Sequence, residues 1–177
     1  RLSAGAVHID LDTGVHGGDA AGDTFGSIEY FVLSNHDDTI VGSWASDIIR
    51  GMAGDDVMSG GGRHDGLNGG AGNDVLDGGT GRDTLNGEEG DDLMTGGADT
   101  DWFWLASAGT GNDVVTDFED GLDKVRITNV AGVEDFSDLA VSTNGSGWAV
   151  ITLPDGSTLT LEGLAAADVD AGDFLWV

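Results

Sequence analysis

The chain has 177 residues, with 33 acids against 6 bases, a net charge of −27 and no cysteine. That balance argues against a nucleic-acid surface, and the missing thiols exclude disulfides and thiolate metal sites. No apolar run reaches the length of a membrane span. No signal peptide stands at Arg1, and an opening without Met is expected of a processed chain or a fragment. Among the acids 27 are Asp and 6 are Glu, a balance that suits loops and ligand sites better than helices. With 32 Gly and 39% hydrophobic residues, the expectation is conditional order: unfolded while the acids repel, folded once a cation neutralises them.

Residues 1–32 read as N-terminal capping strands. Val7, Ile9 and Leu11 alternate with polar residues, which predicts a strand with one buried face. Asp12 to Gly26 reads as a loop and Ile28 to Leu33 as a second strand. Glu29 and Phe31 fit a degenerate first repeat equally as well as an ordinary capping strand.

From Leu33 to Trp104 one nine-residue phrase is written eight times without insertion. Its sixth place is always Asp: Asp38, Asp47, Asp56, Asp65, Asp74, Asp83, Asp92 and Asp101. Its eighth place is always hydrophobic: Ile40, Ile49, Met58, Leu67, Leu76, Leu85, Met94 and Phe103. The last three places predict a very short strand whose middle side chain points inward. The six before them must turn the chain, and Gly at places one, two and four permits positive φ and close backbone approach. Two nonapeptides then make one coil, and stacked coils give two parallel sheets around a core one side chain wide. The fold class is all-β, a right-handed parallel β-roll over 33–116, with a β-rich cap over 117–177.

So thin a core cannot offset the ordering of so many glycines by burial alone. The sixth-place Asp answers this. On one edge Asp56, Asp74 and Asp92 stack; on the other Asp47, Asp65, Asp83 and Asp101 do. Stacked carboxylates repel unless a cation sits between them. Carboxylates with loop carbonyls, and neither His nor Cys, make a hard oxygen cage that suits several Ca²⁺ ions. The turns nearest the ideal are Gly51-Met52-Ala53-Gly54-Asp55-Asp56, Gly69-Gly70-Ala71-Gly72-Asn73-Asp74, Gly78-Gly79-Thr80-Gly81-Arg82-Asp83 and Gly87-Glu88-Glu89-Gly90-Asp91-Asp92. Gly51, Ala53, Asp55, Gly69, Gly70, Ala71, Gly72, Asn73, Gly78, Gly79, Thr80, Gly81, Gly87 and Gly90 therefore join the Asp columns as candidate metal-site residues. His36, Ala45, Arg63 and Asp99 break the fourth-place glycine. The tightest sites are expected between the 51–56, 69–74 and 87–92 turns, and weaker or empty ones at 60–65.

After Trp104 the frame breaks at Leu105 to Ser107. It resumes at Gly109-Thr110-Gly111-Asn112-Asp113, where Asp113 is placed to close the last site above Asp92. Trp148 to Leu153 and Thr158 to Leu161 flank Pro154-Asp155-Gly156-Ser157 and read as a hairpin. Ala165 to Asp170 reads as a short helix.

With these residues in view, the chain resembles the RTX (repeats-in-toxin) calcium-binding family of bacterial secreted proteins. The resemblance covers 33–104, and the run Gly111-Asn112-Asp113, Asp117-Phe118, Gly121-Leu122-Asp123-Lys124 is similar to the exit from the roll in that family. It implies calcium held between turns by the sixth-place Asp and loop carbonyls, folding outside the cell, and unfolded passage through a type I secretion apparatus. It also implies an uncleaved C-terminal export signal, which Asp173 to Val177 matches, and an upstream catalytic or binding domain of the same protein.

No HExxH, GxSxG or Cys centre is present, and His8, His16, His36 and His64 read as scattered loop residues. The chain is therefore read as non-catalytic. The alternative reading is a polysaccharide-binding or adhesive module, because Trp102 and Trp104 face outward; a covering by the C-terminal segment is the plainer account. The ninth places, Val41, Arg50, Ser59, Asn68, Asp77, Asn86, Thr95 and Trp104, hold no flat Thr or Asn array for ice. Val57, Val75 and Leu93 form an outward apolar column expected to be covered by a partner.

Overall fold

The computed structural model describes residues 4–22, 28–106 and 111–176. Residues 23–26 of the expected loop, 107–110 of the frame break, and Val177 lie outside them. Seventeen strands run in chain order among the described residues. The first four are β1 (Val7–Asp10), β2 (Gly17–Gly18), β3 (Tyr30–Val32) and β4 (Thr39–Val41). The next six are β5 (Ile48–Ala53), β6 (Val57–Gly62), β7 (Gly66–Ala71), β8 (Val75–Thr80), β9 (Thr84–Glu89) and β10 (Leu93–Ala98). There follow β11 (Trp102–Ala106), β12 (Asn112–Val115), β13 (Lys124–Thr128), β14 (Ala140–Thr143), β15 (Ala149–Thr152), β16 (Thr158–Leu161) and β17 (Phe174–Trp176).

The strands alternate between two sheets, as a two-repeat coil requires. One sheet has the order β14-β15-β16-β12-β10-β8-β6-β4-β1-β2, the other β17-β13-β11-β9-β7-β5-β3. Within the roll every pairing is parallel and joins equal places of the repeat, as in Leu76 with Met58 and Leu85 with Leu67. The molecule is thus a parallel β-roll. Its core is one column per sheet: Ile40, Met58, Leu76 and Met94 face Ile49, Leu67, Leu85 and Phe103, none more than 2% exposed.

The repeat strands are six residues long, not three. They run through places seven to nine and on into one to three of the next turn, because stacked turns continue the ladder, as in Gly97 with Gly79 and Ala98 with Thr80.

Both ends build onto the same sheets. Phe31 pairs with Ile49 and is buried, and the Glu29 carbonyl accepts the Ile48 N–H (2.7 Å) as a sixth-place residue would, while its side chain stays exposed. At the other end β13 pairs with β11, β16 with β12 and β17 with β13, all parallel, so the C-terminal cap extends the roll's own sheets. The β15–β16 hairpin forms as expected. The short helix expected over Ala165 to Asp170 does not: that stretch is turns, followed by a 3₁₀ turn at Ala171–Asp173. The Asp170 and Asp173 side chains cap each other's backbone there, so these acids favour a tight turn over a continuing helix. Among the described residues no helix is long and apolar enough to cross a membrane.

Candidate metal centre

Each sixth-place Asp follows a turn at the edge of the roll and is buried, with no more than 3% of its surface exposed. The carboxylates are used in a regular way. One oxygen accepts the backbone N–H of the Asp one coil earlier, 18 residues back. On the first edge Asp38 donates to Asp56 (2.7 Å), Asp56 to Asp74 (2.8 Å) and Asp74 to Asp92 (2.8 Å). On the second edge Asp47 donates to Asp65 (2.7 Å), Asp65 to Asp83 (2.7 Å) and Asp83 to Asp101 (2.8 Å). The stacking that repulsion opposes is therefore held partly by charge-assisted hydrogen bonds.

The other oxygen is the informative one. Oδ2 of Asp56, Asp65, Asp74, Asp83, Asp92 and Asp101 is buried without a hydrogen-bond partner among the described residues, as is Oδ1 of Asp47. A buried carboxylate oxygen left in this state is costly. Each Oδ2 points at the first-place glycine of its own turn, and in several turns a carbonyl from the next coil points there too. A Cβ on Gly51 would strike Asp56 Oδ2 and the Gly69 carbonyl; one on Gly69 would strike Asp74 Oδ2 and the Gly87 carbonyl. On the second edge a Cβ on Gly78 would lie 2.6 Å from both Asp83 Oδ2 and the Gly96 carbonyl. Gly87 likewise faces Asp92 Oδ2. First-place glycine thus serves close approach alone; its φ is not in the left-handed region. An orphaned carboxylate oxygen and a carbonyl in one cradle fit a hard cation that prefers oxygen. Among the described residues no three acidic or histidine side chains converge on one point, so an ion here would take much of its shell from carbonyls.

Positive φ belongs to places two and four. Place two is left-handed in the turns carrying Met52, Gly61, Gly70, Gly79, Glu88 and Gly97, and these are the turns whose Oδ2 is orphaned. In the first two turns Ser34 and Ser43 hold place two without positive φ, and their N–H groups bind Asp38 Oδ2 (2.6 Å) and Asp47 Oδ2 (2.8 Å). Asp38 has partners on both oxygens, since Oδ1 accepts from Val7 N (2.7 Å) and Ser34 Oγ (2.9 Å). At place four Gly72, Gly81 and Gly90 lie against the carbonyls of Gly54, Arg63 and Gly72. Arg63 and Asp99 adopt positive φ at this place, 74° and 82°, so their turns keep the common shape.

The other candidate residues separate by place. Ala53 and Ala71 pair in the ladder, and Thr80 pairs with Gly62. Asp55 and Asn73 are exposed and belong to an outer ladder: Asp37 Oδ1 accepts Asp55 N (3.0 Å), Asp55 Oδ1 accepts Asn73 N (2.8 Å), and Asn73 Oδ1 accepts Asp91 N (2.9 Å).

Asp113 sits over Asp92, accepting its N–H at 3.1 Å. A residue that sequence reasoning missed, Asp123, ends the second column: Oδ1 accepts Asp101 N and Oδ2 accepts Glu119 N, both at 2.9 Å. Its spacing of 22 residues from Asp101 hides it from a count in nines.

Burial is the leading cause that holds these carboxyls above the usual range. It pushes Asp65 and Asp74 up to about 6, Asp56, Asp83 and Asp101 to about 7, and Asp113 to about 8. Neighbouring carboxylates add to the shift, and the backbone N–H bonds oppose it.

The family model for the RTX calcium-binding nonapeptide repeat (four copies) matches residues 34–67 and again 68–103. A search of curated proteins gave no match. Among solved structures the chain is similar to the AlgE6R2 subunit of the Azotobacter vinelandii mannuronan C5-epimerase. The identity is 28% and the TM-score 0.50, over 85% of this chain and 94% of that one. It also aligns with the extracellular lipase LipA from Serratia marcescens at 17% identity and a TM-score of 0.47, covering 89% of this chain and 41% of the lipase. Residues 34–103 thus carry RTX-type calcium-binding nonapeptide repeats.

Proposed function

We propose that the chain is a non-catalytic, calcium-responsive module of a larger secreted protein, which folds when Ca²⁺ binds outside the cell and supports type I secretion and stability of that protein. The observation that carries this reading is the row of buried, unpartnered Oδ2 atoms of Asp56, Asp65, Asp74, Asp83, Asp92 and Asp101. A bound divalent cation would supply positive charge where those carboxylates need it. The chain's own residues do the rest. The Asp-to-Asp hydrogen bonds set each carboxylate, and the first-place glycines keep the cradle open. Asp38 and Asp123 close opposite ends of the two columns with partners on both oxygens. The likeness to a subunit of an epimerase supports membership of a larger protein. Circular dichroism against calcium concentration tests the reading. β-Structure should be largely lost in chelator and restored cooperatively by Ca²⁺; complete β-structure in chelator would contradict it.

A further inference from the structure

The two sheets differ in what they show to solvent. On the β3–β17 sheet the seventh places line up as Tyr30, Ile48, Gly66, Thr84, Trp102 and Lys124. The ninth places beside them are Val32, Arg50, Asn68, Asn86, Trp104 and Arg126. None is acidic, in a chain of 33 acids, and three of its 6 Lys and Arg stand here. A fourth, Arg82, reaches in from the adjoining turn and stacks 5.3 Å from the Trp102 ring centre. The opposite sheet shows Val57, Val75 and Leu93 with Asp77 and no Lys or Arg in its outward repeat rows.

We infer that this outer face is a binding site for a carboxylated polysaccharide. Tyr30 is exposed and Trp102 and Trp104 are partly exposed on the sheet's outside, where the C–H face of a sugar ring can stack. Arg126 lies 4.4 Å from the Trp104 ring centre, so its face is occupied by the indole and its N–H edge is left for a carboxylate. Arg126 Nε and Trp104 Nε1 are buried donors without a partner among the described residues. Gly66 has no side chain between Ile48 and Thr84, and the gap opens a groove of about 220 Å³ that Arg50, Asn68, Asn86 and Trp104 also line. Amides, hydroxyls and cations around an apolar floor match a sugar chain bearing isolated carboxylates. Two acids reach the border: Glu88 accepts from Asn68 Nδ2 (2.6 Å), and Asp99 lines a hollow with Arg82 and Trp102. They disfavour a densely charged polysulfate or polyphosphate over a uronic-acid polymer.

Calorimetry of the calcium-saturated chain with hexagalacturonate and with its fully methyl-esterified form tests the assignment. The acid form should bind, the ester at least about tenfold more weakly, and added salt should weaken the acid form. Arg50→Gln and Arg126→Gln should each cost about tenfold. Asp77→Asn on the other sheet should change nothing, and circular dichroism in calcium checks that each variant is folded. Equal binding of acid and ester, no binding to the folded chain, variants that bind as well as the parent, tighter binding of an oligonucleotide, or a dimer by light scattering that buries Trp102 would each overturn it.

Discussion

The two edges of the roll share one architecture and differ in charge. Both carry a buried column of sixth-place Asp. On the first edge the fifth place adds Asp37, Asp55, Asn73 and Asp91, which tie coil to coil outside the buried column. On the second edge the fifth place is Ser46, His64, Arg82 and Thr100: Ser46 Oγ accepts His64 N (3.3 Å), and His64 Nδ1 accepts Arg82 N (2.8 Å). The same hydrogen-bonding task is done by Asp37, Asp55 and Asn73 on one side and by Ser46 and His64 on the other. The first edge thus concentrates negative charge that the second partly offsets, so its dependence on a cation should be the greater.

Adding a methyl to the cradle gives the largest expected effect. Gly69→Ala on the first edge and Gly60→Ala on the second each set a Cβ against an Asp Oδ2. Each should lower calcium stoichiometry in titration calorimetry and cost about 2 kcal/mol or more in the calcium-bound state. Equal calcium loss at both sites would mean that the fifth-place charges are irrelevant. Next come Asp74→Asn and Asp83→Asn, which keep an acceptor for the N–H and remove the charge. In calcium each should raise the folding midpoint by roughly tenfold. In chelator at pH 8 each should instead recover part of the β-signal in circular dichroism, because an uncharged amide replaces a buried carboxylate.

The pH dependence of the metal-free form follows from the same groups. Carboxyls that titrate at 3.8 when unfolded are held at about 6 to 7 in the fold. Between those values the folded chain binds more protons, so its stability falls as pH rises through that window. Circular dichroism in chelator should show residual β-structure at pH 5 that is lost by pH 8, and calcium should abolish the loss. A flat profile in chelator would show that these carboxylates are not desolvated. The smallest effects belong to the backbone. Arg63→Gly on the second edge and Met52→Gly on the first relieve φ of 74° and 84°, and each should stabilise by about 1 kcal/mol. Asp55→Ala should cost about 1 kcal/mol and leave calcium stoichiometry unchanged.

The period of nine carries much of the fold because it sets strand register, core column and carboxylate column together. Leu76 and Asp74 can be placed from sequence alone. The turn chemistry is less visible. Met52 and Glu88 sit in a left-handed conformation that glycine would have announced, and stacking in the ladder overrides their own preference. Ser34 and Ser43 satisfy the Asp oxygens that later turns leave open, a difference carried by one φ angle. Asp123 lay beyond a frame break, and only the pairing of β13 with β11 brings it under Asp101.

The Asp-to-Asp hydrogen bonds all point one way along the stack. Every turn hands its N–H to a carboxylate supplied by the coil that follows it in sequence. A ladder of this kind has a grammatical direction: each clause is completed by the next, and only Asp113 and Asp123 supply the full stop. A chain emerging from its N-terminus therefore always carries one unfinished turn on each edge, and the last pair is completed only when Asp113 and Asp123 arrive.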